Sequence, residues 1–250
     1  MGKADLHIHT AYSSDGTATV AATLEYVALY TDLDVIAITD HDEIDGALEA
    51  LALAPHYGLE VIPGCEVTTA QGHLLALYIT ERVPAQMSLI ATVEYVAALG
   101  GLCIAAHPGG RWHWCLQEHH IRHALNQPAL AHTLVGVEGY NASLPNLQLN
   151  QQATAMQQRL GLAQVGNSDA HLLWMIGLAA TTFPGQSALD LRQALVERTT
   201  STQIEPRPAH FYASSGWRQL LRSLGYVQSA AKAPGSPILR RRRYPAMRYA

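Results

Sequence analysis

Seven short apolar runs recur along this chain, at 4–9, 35–39, 61–64, 74–79, 102–106, 134–140 and 162–166. Between them, segments 19–30, 44–57, 88–99 and 147–160 carry apolar residues at i, i+3, i+4 and i+7, the spacing of an amphipathic helix. Strands that alternate with helices pair in parallel through right-handed crossovers. Seven strands within about 185 residues predict an α/β barrel in preference to an open doubly wound sheet. One connection departs from this scheme. Only 67–72 separate Glu66 from His73, too few residues for a crossover, so the run 74–79 must return as an antiparallel hairpin strand.

The 250 residues are 48% apolar and 14% charged, which provides a sizeable core and excludes a disordered chain. No run of about 18 apolar residues exists, and the polar start MGKADLHIHT is unlike a signal peptide, so the expected location is cytoplasmic and no membrane partner is expected. Cys65, Cys103 and Cys115 are odd in number and lack CxxC spacing, which reads as reduced thiols rather than a disulfide framework or a zinc ribbon. Charge is distributed unevenly. Nine of the sixteen Lys and Arg lie in 207–250, where there is no Asp or Glu, leaving seven against all twenty acidic residues before that point. A body this acidic attracts cations. The expected organisation is a barrel over 1–205, followed over 206–250 by a short helix at 215–224 and a basic C-terminal extension. The last helix of the barrel, 187–198, has Ser187 as its N-cap and packs Leu189, Leu191 and Leu195.

Ionisable residues collect where the strands end. The first run reads Asp5-Leu-His7-Ile-His9, and strand alternation puts both imidazoles on one face, about 7 Å apart. Asp15 follows in AYSSDGT, His41 in TDHD, Glu66 in PGCE, His107 in AHP, and Asp169 and His171 in NSDAH; the hairpin returns His73 to the neighbourhood of Glu66. Singly, such motifs also arise from helix capping or chance. Jointly, six histidines and three carboxylates meet on the C-terminal rim, where a βα barrel builds its active site. Nine N and O donors exceed the needs of one four-coordinate zinc and suit two or three divalent ions (Zn, Mn or Fe) sharing a bridging carboxylate.

The ordered set DLHIHTAYSSDGT, ITDHDEIDG, IPGCEVTT with GHLLAL, AAHPGG and GNSDAH resembles the PHP (polymerase and histidinol phosphatase) family of metal-dependent phosphoesterases over about residues 4–185. The resemblance implies a distorted, TIM-like (β/α)7 barrel with a trinuclear site. Carried over by residue, His7, His9, Glu66 and Asp169 hold one ion, Glu66, His73 and His107 the second, and Asp15, His41 and His171 the third.

Clustered ions lower the pKa of a bound water and clamp a phosphoryl group. The expected activity is therefore hydrolysis of a phosphomonoester or phosphodiester of a small metabolite or nucleotide by a metal-bridging hydroxide. In this scheme Glu66 bridges two ions, Asp169 or His171 passes a proton to the leaving oxygen, and Arg111 of HPGGR binds a substrate phosphate. Asn141 points to the same rim, and Trp112, His113 and Trp114 form a wall or lid, while His119, His120 and His123 read as surface residues on a helix. Residues 108–133 form the one long loop region and shape the pocket. The basic run Arg240–Arg243 motivates an alternative reading as a nuclease or 3'-5' exonuclease acting on nucleic acid. An amidohydrolase would also use His-x-His in a barrel, but its usual bridging lysine has no counterpart, since Lys3 and Lys232 are the only lysines. A non-catalytic metal-scaffolded module is the third alternative.

Overall fold

The computed structural model describes residues 1–144 and 147–205, so the expected helix at 215–224 and basic extension lie outside the described residues. In chain order the elements are β1 (Gly2–Asp5), α1 (Val20–Tyr30), β2 (Val35–Ile38), α2 (Asp45–Tyr57), β3 (Glu60–Thr69) and β4 (Gly72–Leu77). There follow α3 (Leu89–Ala98), β5 (Leu102–Ala105), α4 (Glu118–Leu125), β6 (Leu134–Asn141), α5 (Leu147–Leu160) and β7 (Ala163–Asn167). A short 3-10 turn precedes β8 (Ala179–Phe183), α6 (Ala188–Glu197) and β9 (Ser201–Ile204). The sheet order is β7-β6-β5-β4-β3-β2-β1-β8-β9. β1–β2, β2–β3, β5–β6 and β6–β7 are parallel. The hairpin strand β4 runs antiparallel to both its neighbours, as the short connection requires.

Side-chain alternation sorts the strands into two layers. Ile36, Ile38 and Ala105 face the helices, where Leu24, Val27, Ala50, Val93 and Met156 meet them. Val35, Ala37, Ile62, Leu75, Ile104 and Val165 face inward with Phe183 and α6. The sheet is curved into a nearly closed barrel. Beyond β7 the main chain of Ala170 bonds His9 N (2.9 Å) and His7 O (3.2 Å) just past β1, while Thr181 Oγ1 on β8 bonds both main-chain groups of Gly166. A Cβ on Gly166 would overlap Thr202, so β7 and β9 approach this closely only because residue 166 is glycine.

α6 plugs the N-terminal end of the barrel. Ala188 N donates to Glu60 at the start of β3, Arg192 donates to the Gly100 carbonyl before β5, and Leu191, Ala194 and Leu195 join the interior cluster. Ser187 caps the helix in a capping box with Asp190. Leu189, expected to pack here, is instead 71% exposed. Residues 189 and 191 are two apart, about 200° around a helix, so they cannot share a face. Leu195→Ala should lower unfolding free energy by about 2–5 kcal/mol in urea titrations, as expected for a buried leucine opening a cavity at the barrel floor.

Three expectations need correction. β8 and β9 extend the seven expected strands to nine among the described residues; AATTF and STQI are short and Thr-rich, and antiparallel pairing on β1 and on each other makes them strands. β3 continues five residues past Gly64 because β4 gives it a second partner. The first strand ends at Asp5 rather than His9, for a reason that belongs to the site. No helix among the described residues is long and apolar enough to cross a membrane.

Candidate metal centre

β1 stops because side chains take over from its ladder. Asn167 Oδ1 accepts from Leu6 N (2.9 Å) and Thr39 Oγ1 from Ile8 N (3.2 Å). Ala4 and Leu6 face the interior, whereas Ile8 packs with the helix layer, so the alternation changes phase here. His7 and His9 thereby come to the rim with ring centroids 5.0 Å apart. Asp5, fully buried, anchors the turn by accepting from Ser168 N (3.1 Å) and Gly177 N (2.9 Å). Burial pushes its carboxyl up to about 6 against the lowering effect of those bonds.

Glu66 is the hub. Its Oε2 lies 3.1 Å from His7 Nε2, 3.3 Å from His9 Nε2 and 3.1 Å from His41 Nδ1. Its Oε1 lies 2.9 Å from His73 Nδ1 and 3.0 Å from His107 Nε2. His73 can reach it because β4 runs backwards, which puts the start of this strand on the rim where the parallel strands end. Asp169 Oδ1 stands 3.5 Å from His7 Nε2 and 3.3 Å from His9 Nε2. Asp15 Oδ2 stands 3.1 Å from His171 Nε2 and 3.5 Å from His41 Nε2. Its loop turns tightly at Gly16, where a Cβ would overlap the Thr10 carbonyl. All nine side chains expected to meet do so.

Arg111 is not among them. It is exposed and lines an open depression of about 610 Å³ with Gln71, Trp112, His113, Cys115 and His120. The depression adjoins the cluster, since Cys115 Sγ is 3.9 Å from His107 Nδ1 and Trp114 O accepts from His73 N (2.9 Å). Trp112 and Trp114 stack at 5.7 Å. His120, expected on the surface, is half-buried here, while His119 and His123 are exposed.

Opposite charges hold the cluster together. Burial disfavours the charge on Glu66, yet His7, His41 and His73 keep its carboxyl well below the usual range. Asp169 and Asp15 are likewise held low against burial, Asp169 chiefly by His7 and His9, Asp15 by His171 and His41. In return His9, though buried, is pushed up to about 10 by Asp169 and Glu66, and His7 and His107 rise well above an ordinary imidazole. Two residues of the cluster have left-handed backbones, His107 at φ 28° and Asp169 at φ 52°. Such conformations cost about 1–3 kcal/mol each and persist only where the surroundings over-determine them.

The donor set fits divalent ions. His7 Nε2 and His9 Nε2 are buried without a hydrogen-bond partner, although carboxylate oxygens stand 3.1 to 3.5 Å away. Ligand atoms held about 2.0–2.2 Å from a shared ion stand at about this mutual separation. Among the described residues, three sets have ligand atoms within 4.8 Å of one another: His9, Asp15, His41 and His171; His7, His9 and Glu66; and His41, Glu66 and His73. They differ from the sets implied by resemblance in that His9 and His41 each belong to two of them and that His107 and Asp169 belong to none.

Several supporting residues escaped the sequence reading. Ser13 Oγ lies 3.0 Å from His9 Nδ1 and accepts from His41 N (2.8 Å). Asp40 accepts from Thr10 and Ser13 main-chain N–H groups and so shapes the same loop. Glu138 lies beneath His7, with Oε1 3.0 Å from its Nδ1. A lone carboxylate in the apolar stretch LVGVEGYN was the available signal, because an unpaired charge is rarely buried. Asn141, expected on this rim, donates to both Glu138 Oε2 (2.9 Å) and Asp169 Oδ2 (3.0 Å).

Comparison with family models returns the PHP family. A PHP domain model matches residues 5–162, and a PHP-associated model matches 148–200. An uncharacterised protein of Methanocaldococcus jannaschii is 37% identical over 115 residues, 42% of this chain and 67% of its own. A 3',5'-nucleoside bisphosphate phosphatase of Chromobacterium violaceum is 24% identical over 220 residues, 79% of this chain and 72% of its own. Among solved structures, a two-domain protein from Bacteroides vulgatus containing a predicted PHP-like metal-dependent phosphoesterase superposes with TM-score 0.65 at 22% identity. That match covers 81% of this chain, which spans 64% of the two-domain protein's length.

Proposed function

The chain belongs to the PHP domain family of metal-dependent phosphoesterases, and from that premise we propose that it is a hydrolase of small phosphoesters working at a three-ion centre on the barrel rim. The observation that carries this reading is the approach of five imidazoles to one buried carboxylate, with two ring nitrogens left unpartnered toward it. His7, His9, Glu66 and Asp169 would hold one ion, Glu66, His73 and His107 a second, and Asp15, His41 and His171 a third. Ions so bound supply a nucleophilic water at neutral pH and offset phosphoryl charge.

The protein's own groups do the rest. Glu66 keeps the donors of separate ions within reach of each other. His171 lies 2.9 Å through Nδ1 from the Asp169 carbonyl, which fixes its ring and turns Nε2 toward the ion it would share with Asp15, whose Oδ2 is 3.1 Å away. Arg111 serves as the anion-binding group of the adjoining depression, where Trp112 and His113 supply ring surfaces for a nucleotide-sized substrate. The phosphatase relative, which acts on a nucleoside bisphosphate, supports this substrate size. Arg111→Ala should reduce kcat/KM by about 10- to 100-fold, the size of one charge-assisted contact, while ion content stays unchanged.

The deciding experiment is metal analysis of the purified protein coupled to a panel of phosphomonoesters, phosphodiesters and a single-stranded oligonucleotide. Two or three ions per chain with turnover of a small ester are expected. Ion-loaded protein that hydrolyses none of the panel would overturn the reading, and turnover of the oligonucleotide alone would replace it with a nuclease.

A further inference from the structure

Glu138 is fully buried on β6, and each of its four contacts supplies a hydrogen. His107 N (2.8 Å) and Asn141 Nδ2 (2.9 Å) donate to Oε2, and Asn167 Nδ2 (2.9 Å) donates to Oε1. The orientation of both amides is settled independently of Glu138. Asn141 Oδ1 accepts from Ser143 N and Asn167 Oδ1 from Leu6 N, so in each case the NH2 group must face the carboxylate. The fourth contact is His7 Nδ1, 3.0 Å from Oε1. An ionised carboxylate only accepts, so this nitrogen must carry a proton. In the neutral ring that leaves the lone pair on Nε2, the atom that faces Glu66 Oε2 and Asp169 Oδ1 without a hydrogen bond.

We propose that Glu138 is the positioning residue of the metal centre, locking His7 as the Nδ1–H tautomer and tying His7, His107 and Asp169 into one frame. The inference rests on the cluster being an ion site. His107 and Asp169 are the two cluster residues with left-handed backbones; Glu138 restrains the first through its main-chain N–H and the second through Asn141. A ligand histidine whose second nitrogen donates to a carboxylate has a fixed tautomer and ring orientation, and loss of such a support lowers metal affinity by about 10- to 100-fold. Glutamine has the same shape but cannot substitute. In the place of Oε2 its NH2 group would meet two fixed donors, His107 N and Asn141 Nδ2; in the place of Oε1 it would meet the fixed donor Asn167 Nδ2 and donate to His7 Nδ1, reversing the tautomer.

The test uses the full chain labelled with 15N-histidine and loaded with zinc. In the wild type, His7 should show a protonated, exchange-protected Nδ1 and an unprotonated Nε2 with a metal-bound shift. Glu138→Gln, checked for folding by circular dichroism, should bind zinc about 10- to 100-fold more weakly. A zinc-loaded wild type with the His7 proton on Nε2, or a Glu138→Gln variant with wild-type zinc affinity, would overturn the proposal. If Glu138→Gln does not fold, the wild-type spectrum decides alone. A wild type that takes up no zinc, manganese or iron would instead refute the ion site itself, a failure distinguishable from that of Glu138.

Discussion

Replacing Glu66 by alanine should lower phosphoester turnover by about 10³-fold or more and strip ions from the centre. No other side chain in the cluster touches so many strand ends, since its two oxygens meet rings that follow β1, β2 and β5 and the ring that opens β4. Its removal also changes the ion-free protein. Burial disfavours charge on His7, His41 and His107, and their imidazoles are raised with Glu66 among the causes, so without it buried like charges face one another. Breaking a buried pair from one side typically destabilises by about 3–5 kcal/mol, so the variant should melt earlier than the wild type when both are metal-free. Glu66→Gln keeps the volume and discriminates between charge and packing. Metal content and steady-state hydrolysis of p-nitrophenyl phosphate check the outcome; wild-type turnover in either variant would remove Glu66 from the reaction.

Ion loading is the second large effect. An ion present at about 1,000 times its Kd stabilises the folded state by about 4 kcal/mol, and a chain of this size gains about 2–4 °C per kcal/mol, so manganese or zinc should raise Tm by about 10 °C over chelated protein. The effect should depend on pH in a definite direction. In the metal-free protein His9 is pushed up to about 10 and holds its proton at neutral pH, while His7, His41 and His107 are also raised and keep theirs to higher pH than an ordinary imidazole. Their contribution to metal-free stability is full below about 6.5 and is lost as pH rises through the folded values. Glu66, Asp15 and Asp169 act oppositely: lowered in the folded state, they stabilise above about 4 and lose that contribution as pH falls. Ions compete with the ring protons, so binding should release protons near pH 7 and tighten as pH rises. Calorimetry in buffers of different ionisation enthalpy measures that release, and its absence would mean that the rings are not the ligands.

Much of the cluster was legible because all its side chains but Asp15 lie within a few residues of a strand end, and strand ends announce themselves locally through an apolar run broken by His, Asp or Glu. His73 was legible for a further reason, the six-residue connection that admits only a hairpin. Leu189 shows the opposite case. An apolar residue in a helical window was assigned to the core, although its angular position relative to Leu191 already ruled that out. β8 and β9 were not legible because their strand character comes from pairing, with Thr and Ser where an apolar run would be sought. Arg111 was read from its distance past His107 in the chain, whereas the loop carries it into the neighbouring depression.

From residue order alone came the barrel class, the reversed fourth strand and the identity of the nine side chains on the rim, since period-2 alternation and connection length are local properties. Which of those groups share an oxygen, and what holds them from beneath, was decided by closure of the barrel. The Ile8–Ala170 bridge brings Asp169 to His7 across the seam, and the phase change after Leu6 turns both imidazoles onto the rim. The apolar stretch around Glu138 marks a buried carboxylate but not its partners. The curvature of the sheet supplies the four donors around it, and those contacts span up to 131 residues of chain.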